Sequence, residues 1–156
     1  MNLVNQPAWK IKDLQVYTYG TDAITVTGTD GSATAKIHPN WTIVVEAVAM
    51  NTSKTITLDT PFPFKIIGMK VINTGGASER GTDSVQLKNG TSAITDAVDQ
   101  GGLVGYDFYD VREAYIDDAH DTFAAGNDDL VLTFAANPAS TASTNTCRVI
   151  IYIQPE

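Results

Sequence analysis

The sequence predicts an all-β chain, a jelly-roll-like antiparallel β-sandwich (residues 21–156) preceded by an N-terminal arm or edge strand (residues 1–20). Three observations carry this. Apolar residues alternate with polar ones in about eight to ten short runs. Turn residues (Gly, Asn, Asp, Pro) punctuate those runs. No stretch repeats apolar residues at helical spacing over a normal helix length, and Thr, Ala, Gly, Ile and Val outweigh the strong helix formers. A jelly roll is the natural arrangement for that number of strands, and no internal repeat suggests a propeller or solenoid.

The elements follow in order. "NQPAWKIKDLQVYTYG" has weak periodicity and reads as the arm. "AITVTGTDGSATAKI" sets Ile24 and Val26 against a strand ending at Ile37 across an Asp-Gly turn, a hairpin signature. "TIVVEAVAM" places Ile43, Val45, Ala47 and Ala49 on one face and Thr42, Val44, Glu46 and Val48 on the other. That suits a strand covered on much of both faces. "KTITL" puts Ile56 and Leu58 together. Pro61 and Pro63 then stop the chain, since each fixes φ and lacks a donor.

"FKIIGMKVIN" is a long strand, with Ile67, Met69 and Val71 on one face and Phe64, Ile66 and Ile72 on the other. "NTGGASERGTD" is a polar loop. "SVQLKNGTSAI" is a hairpin whose Asn89-Gly90 suits a type I′ turn. "TDAVDQGGLVGYDFYD" reads as one helical turn and a Gly-rich crossing, and "VREAYIDD" resumes a strand. "DTFAAGNDDLVLTFAAN" is strand, turn at Gly126-Asn127, and strand, with Leu130, Leu132 and Phe134 inward. After the loop "NPASTASTNT" the last strand, "CRVIIYIQ", carries Cys147, Val149, Ile151 and Ile153 on one face.

Composition narrows the function. At 156 residues one domain is expected, large enough to bury roughly 70% of its unfolded surface. The net charge of −8, with basic residues scattered singly, argues against a nucleic-acid partner, which needs a cationic face to neutralise phosphates. The same charge repels anionic membranes. The most apolar run, "TIVVEAVAM", is interrupted by Glu46 and is too short to span a bilayer. The opening residues lack an apolar leader core, so cytoplasmic synthesis is expected. The single cysteine excludes an intramolecular disulfide framework, and its strand position reads as a buried side chain.

Tests for chemistry return nothing that selects an active site. There are two histidines. His38 reads as a strand-end residue, and His120 lies among Asp117, Asp118 and Asp121. That group could offer oxygen ligands and an imidazole, but it lacks the spacing and glycine of a calcium loop, so a solvated acidic edge is the default. No nucleophile elbow or zinc-protease helix motif occurs, and nothing picks out a facing carboxylate pair. No catalytic residue, cofactor, metal or small-molecule substrate is therefore assigned. The aromatics are more suggestive. Trp9, Tyr17 and Tyr19 in the arm, and Tyr106, Phe108 and Tyr109 in "GYDFYD", are candidate interface residues; the alternative is that they close the ends of the core.

The runs "TLDTPFPFKIIGMKVINTGG", "VQLKNGTSAITDAV", "EAYIDDAHDTFAAGNDDLVLTFAAN" and "CRVIIYIQP" together resemble the small jelly-roll decoration (cement) proteins of tailed-bacteriophage capsids, over roughly residues 42–153. The resemblance implies a structural virion protein on the outer capsid surface. It implies a homotrimer bound to the major capsid protein lattice, with the N-terminal segment in contact with the shell and no catalytic residue. Trimer avidity would multiply modest single contacts. The alternative is a tail-fibre or carbohydrate-binding jelly-roll module, marked by an exposed aromatic platform such as "GYDFYD". An enzyme would instead need a concave pocket with paired carboxylates of perturbed pKa.

Overall fold

The computed structural model describes residues 25–28, 33–38, 40–47, 53–60, 62–74, 84–99, 107–124, 127–135 and 146–156; for 25–28, 47 and 127–129 it describes the backbone only. The arm, with Trp9, Tyr17 and Tyr19, and Tyr106 of "GYDFYD" lie outside these residues. Twelve strands are described: β1 (Thr25–Gly28), β2 (Thr34–His38), β3 (Thr42–Ala47), β4 (Lys54–Thr60), β5 (Phe64–Asn73), β6 (Ser84–Asn89), β7 (Ser92–Ala93), β8 (Val98–Asp99), β9 (Phe108–Arg112), β10 (Thr122–Phe123), β11 (Asn127–Ala135) and β12 (Cys147–Pro155). The only helical piece among the described residues is a single 3₁₀ turn, Glu113–Tyr115.

All pairings are antiparallel. The first sheet runs β1-β4-β11-β6, with β7 and β8 both on the free edge of β6. The second runs β5-β12-β3-β2, with β9 and β10 on the free edge of β5. From β3 to β6 the chain changes sheet at every step, and β11 and β12 then enter the middle of the two sheets. With β7/β8 and β9/β10 each counted as one strand position, β3 to β12 give the eight-position winding of a jelly roll. β1 and β2 add one edge strand to each sheet.

The two inner faces form one core. Ile56, Leu58, Val85, Leu87, Leu130, Leu132 and Phe134 of the first sheet face Ile43, Val45, Ile66, Met69, Val71, Val149 and Ile151 of the second, all buried. At one end of the core the rings run Trp41–Phe62–Phe64–Phe123, edge-on at 5.9 Å twice and then stacked at 5.0 Å. Cys147 is buried in the same layer, and His38 ends β2, as the alternation predicts.

Four sequence expectations are corrected. β1 and β2 do not form a hairpin: β1 pairs with β4 and β2 with β3. Asp30-Gly31 lie outside the described residues, and a link between two sheets draws on the same turn residues as a hairpin.

β5 does not keep one phase. Gly68 pairs with Tyr152 and Ile66 with Ile153, so Ile67 is the extra residue of a bulge. Phe64 and Ile66 before it, and Met69 and Val71 after it, therefore all face the core, while Ile67 and Ile72 are half-buried. Glycine suits the site because a Cβ on Gly68 would lie 3.2 Å from the Val111 carbonyl oxygen and 3.3 Å from Tyr152 Cδ2.

In the β6–β7 hairpin, Asn89 pairs with Ser92, so the loop is Gly90-Thr91. Gly90 alone has left-handed φ, +58°, the pattern of a type II′ turn rather than I′. Asn89 remains a strand residue, and its amide donates to the carbonyls of His120 (3.1 Å) and Thr122 (3.4 Å). Finally, the segment after Ile94 holds the short strand β8 at Val98–Asp99 and ends in β9, with residues 100–106 outside the described residues, and "VREAYIDD" leaves β9 into the 3₁₀ turn.

The β2–β3 connection shows how local strain is held. Trp41 takes φ +58°, where an L residue loses about 1–2 kcal/mol. Its N–H donates to the His38 carbonyl and its own carbonyl accepts from Ile153 N–H, both at 3.0 Å. The indole packs against the core. These contacts offset the backbone cost.

Candidate binding site

β9 occupies an edge of the second sheet and β8 an edge of the first, so a cleft opens between the sheets there. In β9, Val111 points into the core and Tyr109, two residues earlier, emerges on the same side at the rim. Tyr109 is 53% exposed. After Arg112 the 3₁₀ turn lifts Tyr115, 73% exposed, over the same opening. The turn is held firmly. Ile116 packs against the core, its N–H donates to Glu113 (3.0 Å), and Asp117 N–H donates to the Ile94 carbonyl (2.9 Å).

The opposite wall is positioned by buried polar contacts. Thr95 is buried; its hydroxyl accepts from Leu87 N–H at 3.1 Å and its carbonyl accepts from the Gln86 amide at 3.0 Å. That fixes the segment that presents exposed Asp96. Val98 is buried against β6, so its neighbour Asp99 points outward. The cleft is about 420 Å³, and Tyr109, Tyr115, Asp96, Asp99 and Asp110 line it. That size falls within the range of ligand pockets. The Asp110 carboxylate itself turns to the other face of β9, where Lys70 lies 3.3 Å away. Two accessible phenol rings beside carboxylates can stack on the C–H face of a ring ligand and accept hydrogen bonds from its hydroxyls.

The candidate aromatics are therefore divided. Phe108 and Tyr109 are both exposed and neither closes the core, but they point to opposite faces of β9 and belong to different surfaces. Phe108, 56% exposed, lies on the outer face of the second sheet with Lys70 Nζ 4.4 Å from its ring centre. There Ile72 is its cross-strand neighbour, and Val44 and Ile150 pair beside them. Arg148 and Glu46 form an ion pair on the same face. Ile67 and Tyr152 on that face are half-buried, while Thr34, Lys36 and His38 at its β2 edge are exposed.

Tyr115, Asp96 and Asp99 were not singled out from sequence. Tyr115 sat in a run read as strand, where alternation gave it no special place. The acidic edge is also corrected: Asp117 and Asp118 are exposed, but Asp121 is 3% exposed. It pairs with Lys65 at 3.2 Å and accepts from the Thr122 hydroxyl at 3.0 Å. His120 Nε2 lies 4.0 Å from Asp117 Oδ2, beyond hydrogen-bond range, while Asp117 Oδ1 accepts from Ala119 N–H in a local turn. Among the described residues no three His, Cys, Asp or Glu side chains are grouped to hold a metal ion, and no helix is long and apolar enough to cross a membrane.

No family model matches the chain. No curated protein matches it either. Among solved structures it is similar to TmCBM61 in complex with β-1,4-galactotriose, at 11% identity and a TM-score of 0.39, covering 100% of this chain and 99% of that one. It is also similar to the K1 cleaved adhesin domain of Lys-gingipain from Porphyromonas gingivalis W83, at 11% identity and a TM-score of 0.39, covering 90% and 95%.

Proposed function

We propose that this jelly roll is a non-catalytic binding module that holds carbohydrate in the cleft between β8 and β9. The observation that carries the reading is the exposed pair Tyr109 and Tyr115 over a cleft lined by Asp96 and Asp99. The rings offer flat apolar faces to a pyranose, and the carboxylates accept from its hydroxyls. Both tyrosines sit on backbone anchored in the core, so little ordering entropy is spent on binding.

The test is a glycan panel followed by titration calorimetry. Tyr115→Ala and Tyr109→Ala are each expected to weaken the best glycan about tenfold or more, ~1.4 kcal/mol. Their melting temperatures should stay close to that of the unmodified chain, since exposed side chains contribute little to stability. Unchanged affinity in both variants, or no glycan bound by the unmodified chain at millimolar concentration, would sink the reading.

We infer as a second reading a trimeric decoration protein of a phage capsid, docked on the major capsid protein at the outer surface. The specific support is the outer face of the second sheet, where Val44, Ile72 and Ile150 lie beside exposed Phe108. Apolar residues on both faces of a strand suit a sheet with a core on one side and a subunit on the other. Light scattering is expected to give three times 16.7 kDa, and Phe108→Asp to shift the mass to that of one chain. A monodisperse monomer at micromolar concentration removes the preassembled trimer and leaves the carbohydrate module.

A further inference from the structure

A second groove, also about 420 Å³, crosses the outer face of the first sheet. Its floor is a polar cross-strand row, Thr55, Thr133 and Gln86, paired in that order. Lys88 stands beside the row. Lys54 closes one end, 5% exposed and engaged in contacts of its own. No Asp or Glu is among the lining residues. In a chain of net charge −8, a ligand-sized groove with lysine in its lining departs from the general surface; its nearest carboxylate, Asp99, stands opposite Ser84, toward the other end of β6 from Lys88.

The groove and the tyrosine cleft meet at one residue. Ala97 lines both. In addition, Ser84, which lines the groove, is the direct cross-strand partner of Asp99, which lines the cleft. Opposed residues in an antiparallel pair lie only ~4.5–5.5 Å apart.

Building on the carbohydrate reading, we propose that the ligand is an acidic oligosaccharide that runs from the tyrosine cleft past Ala97 into this groove, with Lys88 receiving its anionic group. The charges set the direction. Asp96 and Asp99 at the rim of the cleft repel an anionic sugar unit and accept from a neutral one. At the other end, an ammonium donates three hydrogen bonds to a carboxylate or sulfate, and the Thr hydroxyls bind the ring hydroxyls. A uronate and a sulfated sugar share this chemistry.

The experiment compares uronate oligosaccharides, sulfated oligosaccharides and their uncharged counterparts (carboxyl-reduced or desulfated) on the full chain and on Lys88→Gln. The full chain is expected to prefer one charged set about tenfold or more at low salt, less as salt rises. Lys88→Gln should lose that preference and keep the affinity for the uncharged set, whereas Tyr115→Ala should weaken both sets alike. Equal binding of charged and uncharged sets overturns the acidic ligand and leaves the carbohydrate reading standing. A preference undiminished in Lys88→Gln overturns the assignment of the groove. If no oligosaccharide of either kind binds, both inferences fall together.

Discussion

A chain ending at Thr146 is expected not to fold. The ten residues it lacks include β12, which lies between β3 and β5 and pairs with both along its length. Cys147, Val149, Ile151 and Ile153 project from it into the core, each at most 2% exposed. At about 1.5–3 kcal/mol for each fully buried aliphatic side chain, their loss alone rivals the ~5–15 kcal/mol by which a domain is stable. It also leaves two interior strands with unpaired backbone edges, which cost further and invite aggregation. The expected signs are a far-UV spectrum without native β signal and no cooperative melting. A truncated chain that melted cooperatively within a few degrees of the full one would show that β12 is dispensable, contrary to its place in the sheet. The same topology predicts slow folding, because both central strands, β11 and β12, come last in the chain and close long loops.

What the sequence made legible was which face of a strand meets the core. Alternation alone identified Ile56 and Leu58 in β4, Leu130, Leu132 and Phe134 in β11, and the four inward residues of β12, because the strand period of two ties burial to position. It failed where that period breaks. Ile67 is apolar and fits the phase of Met69 and Val71 on paper, and only the extra residue opposite Tyr152–Ile153 moves it out of the core.

Partner choice was illegible for a different reason. Thr25–Gly28 carries the same pattern whether it pairs with β2 or with β4, and the energy that decides lies in contacts thirty residues away. The cleft shares this difficulty. Its walls come from two edge strands in different sheets, and no local pattern sets where Asp96 and Asp99 fall relative to Tyr109. The exposed aromatics Phe108 and Tyr109 were visible, since both do stand in solvent. Their division between two faces was not, because "GYDFYD" was read as an irregular crossing rather than a strand.

Phe64→Ala is the point substitution expected to have the largest effect. Phe64 is fully buried at the meeting point of Phe62 and Phe123, with Trp41 one ring further on. Removing a buried phenyl ring costs about 3–5 kcal/mol through lost transfer energy and the cavity left behind. For a domain of this size that corresponds to a fall in melting temperature on the order of 10 °C. The stacked contact with Phe123 adds a measurable coupling. In a double-mutant cycle with Phe123→Leu it should amount to about 0.5–1.5 kcal/mol. A fall of only a few degrees would mean that the surrounding rings collapse into the cavity. The cleft provides the control for this substitution. Tyr109 and Val111 pair with Val71 and Met69 of β5, five residues or more along the strand from Phe64 and beyond the bulge. A folded Phe64→Ala protein, assayed well below its melting temperature, should therefore bind glycan with unchanged affinity. Lost stability with retained binding separates the ring cluster, which holds the sandwich closed, from the tyrosine pair, which faces the ligand.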